Sequence, residues 1–190
     1  MRALVSRIAG PRISDARLVL FADRLVLLGG FGETPSAGMR MHVANVRAVD
    51  GDRDWRPLPA APPCDRGGHA VATVGRAAAC FHVIHGGYGH GTIQGNLSDL
   101  WVVDGEPELA NWRQCEPDGA APSARAGHTL TAVSGAECVL FGGFGDAALD
   151  DVHLLRCALA LPPSRADAPA TNISLSLSLS LSLSDRKSVV

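Results

Sequence analysis

Apolar runs of four to six residues recur along the chain without lengthening into a helical stripe. They lie at 18–21, 25–28, 70–74, 80–85, 100–103, 129–133 and 138–141, and Gly, Pro, Asp or Asn cuts each one short. Runs of this length bounded by turn residues predict short strands joined tightly, hence an all-β fold. In residues 100–103 both halves of the alternation are apolar, with Leu100 and Val102 against Trp101 and Val103. Both faces of that strand are therefore predicted to be buried, as where sheets stack on sheets.

The runs are organised by a repeat. A glycine pair follows a hydrophobic strand three times, at Gly29-Gly30, Gly86-Gly87 and Gly142-Gly143, with steps of 57 and 56 residues. Two of the units open on similar segments, Arg66-Gly67-Gly68-His69 and Arg125-Ala126-Gly127-His128. Trp55 follows Gly30 by 25 residues, and Trp112 follows Gly87 by the same 25. Each unit thus reads as four strands: one after the Arg and His, one ending in Gly-Gly, one headed by Asn or Asp, and one bearing Trp. Unit one is the most degenerate, with Arg12 in the arginine place and Asp15 in the histidine place, 14 residues before Gly29, as His128 stands 14 before Gly142.

The glycine pairs, the spaced tryptophans and the Arg-x-Gly-His starts together resemble the kelch family over roughly residues 11–156. The resemblance implies that each unit is a four-stranded antiparallel blade of a β-propeller, with strands running outward from a central channel. Glycines suit the crowded axis, having no Cβ and tolerating backbone angles closed to other residues. The Trp would fill space between blades. The Arg and His would hydrogen-bond backbone carbonyls left free at blade junctions.

The expected division is a leader or preceding strand at 1–10, a degenerate blade at 11–60, a second at 61–118 and a third at 119–158. A linker and Ser-Leu tail follow at 159–190. Blade three is expected to lack its last strand, because the place for its Trp falls in the proline-rich segment 162–169. The strict Ser-Leu alternation from Ser174 to Ser184 has the form of a translated CT dinucleotide repeat. The last six residues back-translate to an adapter-like sequence, so the tail is read as an assembly artefact. Two blades and most of a third leave sheet faces bare at both ends. The chain is therefore expected to be a fragment of a longer propeller, the other course being that copies associate through their open blade edges.

Composition removes some functions. The net charge is −2, from 19 acidic and 17 basic residues, and no basic block would neutralise a phosphate backbone. No apolar run of about 18 residues would span a bilayer. Neither nucleic acid nor membrane is an expected partner. Cys64, Cys80, Cys115, Cys138 and Cys157 are odd in number and form no Cys-x-x-Cys pair. Reduced thiols in the cytoplasm, or the nucleus, fit better than a disulfide framework. Arg2, Arg7, Arg12 and Arg17, with no acid before Asp15, only faintly suggest a mitochondrial presequence.

No catalytic, metal or cofactor site emerges. His82 and His85, three apart on a strand, point to opposite faces, and His85 occupies a slot held by Leu28 and Phe141 in the other units. Asp146, Asp150, Asp151 and His153 sit at the entry of a third strand. The iron motif of kelch-type specifier proteins is unmatched, and one tyrosine makes a copper oxidase a poor fit. The remaining functional surface is the loop after each glycine pair, which carries Phe31 and Glu33, Tyr88 and His90, and Phe144 and Asp146. The expected function is protein binding, as a kelch scaffold or adaptor whose family members often accompany F-box or BTB domains. The alternative is part of an enzyme built on the same scaffold.

Overall fold

The computed structural model describes residues 10–21, 23–34, 36–45, 55–76, 79–91 and 93–157. These residues form three antiparallel sheets and, apart from one short 3-10 turn, no helix. Blade 1 contains β1 (Arg17–Phe21), β2 (Arg24–Leu28), β3 (Met39–Asn45) and β4 (Arg56–Ala61), in that spatial order. Blade 2 contains β5 (Arg66–Gly67), β6 (Ala70–Arg76), β7 (Ala79–Gly89), β8 (Gly95–Asp104) and β9 (Asn111–Cys115). There β5 and β6 both pair with β7, and β8 and β9 follow outward. Blade 3 contains β10 (Thr129–Ser134), β11 (Glu137–Phe141) and β12 (Val152–Arg156). Residues 1–9 and 158–190 lie outside the described residues, as does the place where a fourth strand of blade 3 was expected.

Two apolar seams join the sheets face to face. Between blades 1 and 2, Val26, Leu28, Met41 and Val43 meet Ile84 and Val103, flanked by Trp101 and Trp112. Between blades 2 and 3, Val83, Leu100 and Val102 meet Cys138, Leu140 and Leu155. Blade 2 is buried on both faces, which is why its strands alternate apolar with apolar.

The glycine pairs follow β2 in blade 1 and β11 in blade 3, and in blade 2 they lie within β7 at its irregularity between His85 and Gly87. Gly30, Gly87 and Gly143 have φ of 89°, 100° and 96°. A Cβ on Gly87 would come within 2.8 Å of the Gly67 carbonyl oxygen, and one on Gly143 within 2.8 Å of that of Ala126. The backbone both demands positive φ and leaves no room for a side chain, so the glycine is required twice over.

Strand register corrects the reading of unit one by one residue. Ser14 bridges Phe31, as Ala126 bridges Phe144 and Gly67 pairs with Tyr88. Asp15, with φ 56°, therefore stands in the glycine place, where Gly68 and Gly127 have φ 64° and 69°. The arginine place falls to Ile13 and the histidine place to Ala16, not to Arg12 and Asp15. Counting back from the glycine pair failed because β10 carries an extra residue, a bulge between Ala132 and Ser134 that the β1–β2 hairpin lacks. The tryptophans remain equivalent: Trp112 pairs with Val103, and one further step in the β3–β4 register sets Trp55 opposite Ala44.

Candidate functional site

Each junction between blades is built around a buried arginine, and its partner is more than the carbonyl expected. Arg66 donates to the Gly86 carbonyl (3.1 Å) and forks onto the Asp99 carboxylate (Nη2–Oδ2 2.7 Å). Arg125 repeats the arrangement with the Gly142 carbonyl (3.0 Å) and Asp151 (Nη2–Oδ2 2.7 Å). Two residues before each arginine, Cys64 and Ser123 supply a carbonyl and a side-chain acceptor. The carboxylates hold a further donor two residues along, Trp101 Nε1 at 2.7 Å and His153 Nε2 at 2.8 Å. Hydrogen bonds from Arg125 keep the Asp151 carboxyl well below its usual range. Burial pushes Asp99 the other way, but its bonds to Arg66 prevail.

Blade 1 lacks this pairing. Arg40 stands at the place of Asp99 and Asp151, while Ile13 stands at that of the arginines. Arg40 turns instead to Asp65, at 2.9 Å from Nη2 to Oδ2, and Asp65 also accepts from the Ser36 N–H at 3.0 Å. Arg40 Nε donates to the other oxygen, Oδ1, at 3.3 Å, so both oxygens of this fully buried acid are satisfied.

The histidines part company as their spacing requires. His82 faces blade 1, where its ring lies 3.9 Å from that of Phe21 and Nδ1 meets Thr73 Oγ1 at 2.9 Å. His85 faces blade 3, and its Nδ1 meets His128 Nε2 at 3.0 Å. That ring, rather than a backbone carbonyl, is the partner of His128. Burial lowers His85 to about 3 and His128 to about 4, so the pair is neutral and shares one proton between two nitrogens. His69, completely buried, is also lowered to about 3 by burial, then by Arg17 and Arg66. A cavity of about 20 Å³ beside His85, Pro122 and His153 has room for one water molecule.

The loops after the glycine pairs come to one rim of the stacked sheets. Phe31, Tyr88 and Phe144 occupy equivalent places, each opposite the residue before the positive-φ turn. Their surroundings differ. Phe31 lies across the junction onto blade 2, over Gly67 and edge-on to His90 at 5.5 Å. Tyr88 and Phe144 remain 46% and 58% exposed. Glu33 and Asp146 are exposed and His90 is partly so. Blades 2 and 3 are tied at this rim by Asn96, whose amide donates to the Gly145 carbonyl at 3.1 Å.

A family model described as the KLHDC2/KLHL20/DRC7 Kelch-repeats domain matches residues 5–159, most of the chain. The chain belongs to the kelch-repeat family. An F-box/kelch-repeat protein of Arabidopsis thaliana is 28% identical over 148 residues, 72% of this chain and 29% of that protein. A putative adagio-like protein 2 of Oryza sativa subsp. japonica is 31% identical over 125 residues, 65% of this chain and 18% of that protein. Kelch domain-containing protein 2 of Bos taurus is 36% identical over 83 residues, 44% of this chain and 18% of that protein. The chain spans less than a third of the length of these relatives.

In this kelch chain the buried arginines are engaged by carboxylates, whereas neither ring nitrogen of buried His69 has a hydrogen-bond partner among the described residues. Of the acidic and imidazole cluster, Asp151 is held by Arg125 and in turn holds His153. No group of three or more His, Cys, Asp or Glu among the described residues is placed to hold a metal ion. No helix among them is long and apolar enough to cross a membrane. The arginine–aspartate forks were missed by the sequence reading. Their signal was present: Asp99 and Asp151 each head a third strand two residues before Trp101 and His153.

Proposed function

We propose that this chain is a protein-binding module, a kelch scaffold or adaptor that docks its partner on the rim carrying Tyr88 and Phe144. The observation that carries the reading is the placement of two half-exposed aromatic rings at equivalent sites on adjacent blades. Large aromatics set on rigid sheet ends are the usual anchors of protein interfaces, because they bury much area at little entropic cost. Phe31, Glu33, His90 and Asp146 flank them as rim contacts. A role in substrate recognition within a larger protein fits the family, whose members include the F-box/kelch-repeat relative. A reducing compartment, the cytoplasm or nucleus, suits five cysteines that are all free.

Affinity purification of the tagged chain beside its Tyr88→Ala/Phe144→Ala variant tests this. A defined partner recovered with the parent and lost with the variant, at unchanged thermal stability, is expected. Equal recovery by both would refute the rim as the docking surface. Stoichiometric metal in the purified parent would favour an enzyme instead.

A further inference from the structure

Between blades 2 and 3, beside the rim, lies a recess with an open mouth and a sealed floor. Ser98 and Asp118 line it and are exposed, while His85, Leu100 and Leu155 line it and are buried. The loop from β9 to β10 supplies Asp118 and walls one side. Two residues before Ser98, the bond from Asn96 to the Gly145 carbonyl pins the two blades together. The space, about 20 Å³, admits one group the size of a water molecule.

Two imidazoles line this recess, and each has one nitrogen in use and one left over. His85 Nδ1 meets His128 Nε2 at 3.0 Å, and His153 Nε2 meets the Asp151 carboxylate at 2.8 Å. The remaining atoms, His85 Nε2 and His153 Nδ1, are buried without a partner among the described residues. A carboxylate only accepts, so His153 Nε2 carries the proton and Nδ1 of the neutral ring is an acceptor. His85 Nε2 is an acceptor too when Nδ1 donates to His128. Packing demands neither ring. Blade 1 has Leu28 at the place of His85, and blade 2 has Trp101, a donor only, at the place of His153. The surplus nitrogens are what histidine adds at this junction.

Charge points the same way. Segments 87–98, 116–128 and 142–151 make the rim of blades 2 and 3 and contain no lysine. Their one arginine, Arg125, is buried and held by Asp151. Asp118, Asp146 and Asp150 are exposed in these segments, and no free cation within them answers the three carboxylates.

We propose that the recess is a lysine site, receiving the side-chain ammonium of a lysine on the protein that docks at this rim. A primary ammonium is compact and carries three donors and a full positive charge. Asp118, Ser98, His85 and His153 offer acceptors around a space of that size. A guanidinium is a wider planar fork of five donors and does not fit. Water would satisfy the nitrogens but leave the carboxylate unanswered. A metal ion would need a third ligating side chain, and no such group is placed for one among the described residues. The inference rests on the protein-binding reading, whose partner it describes, but uses neither Tyr88 nor Phe144.

The test is an NMR titration of the whole chain, isotope-labelled in its histidine rings, with Nα-acetyl-lysine methylamide. Saturable shifts of the His85 and His153 ring nitrogens are expected, and none with the matching arginine amide or with the lysine amide acetylated at Nζ. Asp118→Asn, at an exposed site, should weaken binding at least about tenfold at unchanged thermal stability, as for loss of a hydrogen bond to a charged group. His85→Leu, which installs the residue of blade 1, should weaken it similarly, read at His153. Equal shifts with the arginine amide would reduce the site to a general acidic surface and overturn the proposal. Unmoved ring signals would leave the recess to water and overturn it as well. The Tyr88→Ala/Phe144→Ala variant should bind the lysine amide as the parent does, so failure of the rim reading and failure of this site are seen separately.

Discussion

At the scale of the residue, buried charge is managed by forks that close on themselves. Arg125 has no solvent exposure, and its guanidinium is neutralised by Asp151 and supplied with acceptors from Ser123 and Gly142. Removing the acid alone would strand a buried cation. Asp151→Leu should therefore destabilise the chain by about 3–5 kcal/mol, whereas Arg125→Met combined with Asp151→Leu should cost less. Urea titrations of both variants check the order, and a double variant less stable than Asp151→Leu would contradict it. Blade 1 already shows that the fork can be dispensed with, having Ile13 at the arginine place. A second prediction concerns Gly87, whose φ is 100° and whose Cβ would meet the Gly67 oxygen at 2.8 Å. Gly87→Ala should lower stability by at least about 1–2 kcal/mol, the cost of the left-handed conformation before any clash. The demand for glycine was legible in the doubled pairs themselves. The arginine–aspartate fork was not read, although Asp99 and Asp151 stand at equivalent places of the repeat, because spacing alone does not pair a charge with a partner 26 or 33 residues away.

At the scale of the element, strands were read well where runs were short, bounded and repeated. The weak point was the hairpin of blade 3, whose bulge adds one residue and displaced the equivalences of unit one. A bulge changes no apolar pattern on the far strand, so spacing alone does not reveal it. The seam between blades also has a titration of its own. His69, His82, His85 and His128 have folded values of about 3 to about 4, against 6.5 when solvated. Burial is the leading cause at all four. Arg17, Arg66 and Arg125 add to it around His69, His85 and His128, while Asp99 and Asp151 oppose it. Because the folded values lie below the unfolded ones, the unfolded chain takes up protons first. Stability is complete above pH 6.5 and falls as pH drops toward about 4, by up to roughly 1.4 kcal/mol per pH unit for each histidine. Urea unfolding across that window should show the decline, and His85→Leu should make it shallower. A flat profile would mean that these rings are not held neutral.

At the scale of the whole molecule, the repeat made the architecture legible but left its partners unnamed. Contacts across a seam belong to two sheets at once, and the docking surface depends on which rings remain outside after the seams form. Phe31 illustrates this: its place in the repeat matches Phe144, yet it is covered by Gly67 and His90 of the next blade. In stacks of this kind each unit is stabilised mainly by its neighbours, so stability should grade along the chain. Blade 2 is gripped on both sides through the seams around Ile84 and Val83, while blades 1 and 3 each bury one face. Backbone amides of β7 and β8 should thus exchange with solvent most slowly, and those of β1 and β10 sooner. Hydrogen exchange followed by mass spectrometry checks the order. Uniform exchange of all three sheets would mean that they unfold as one cooperative unit.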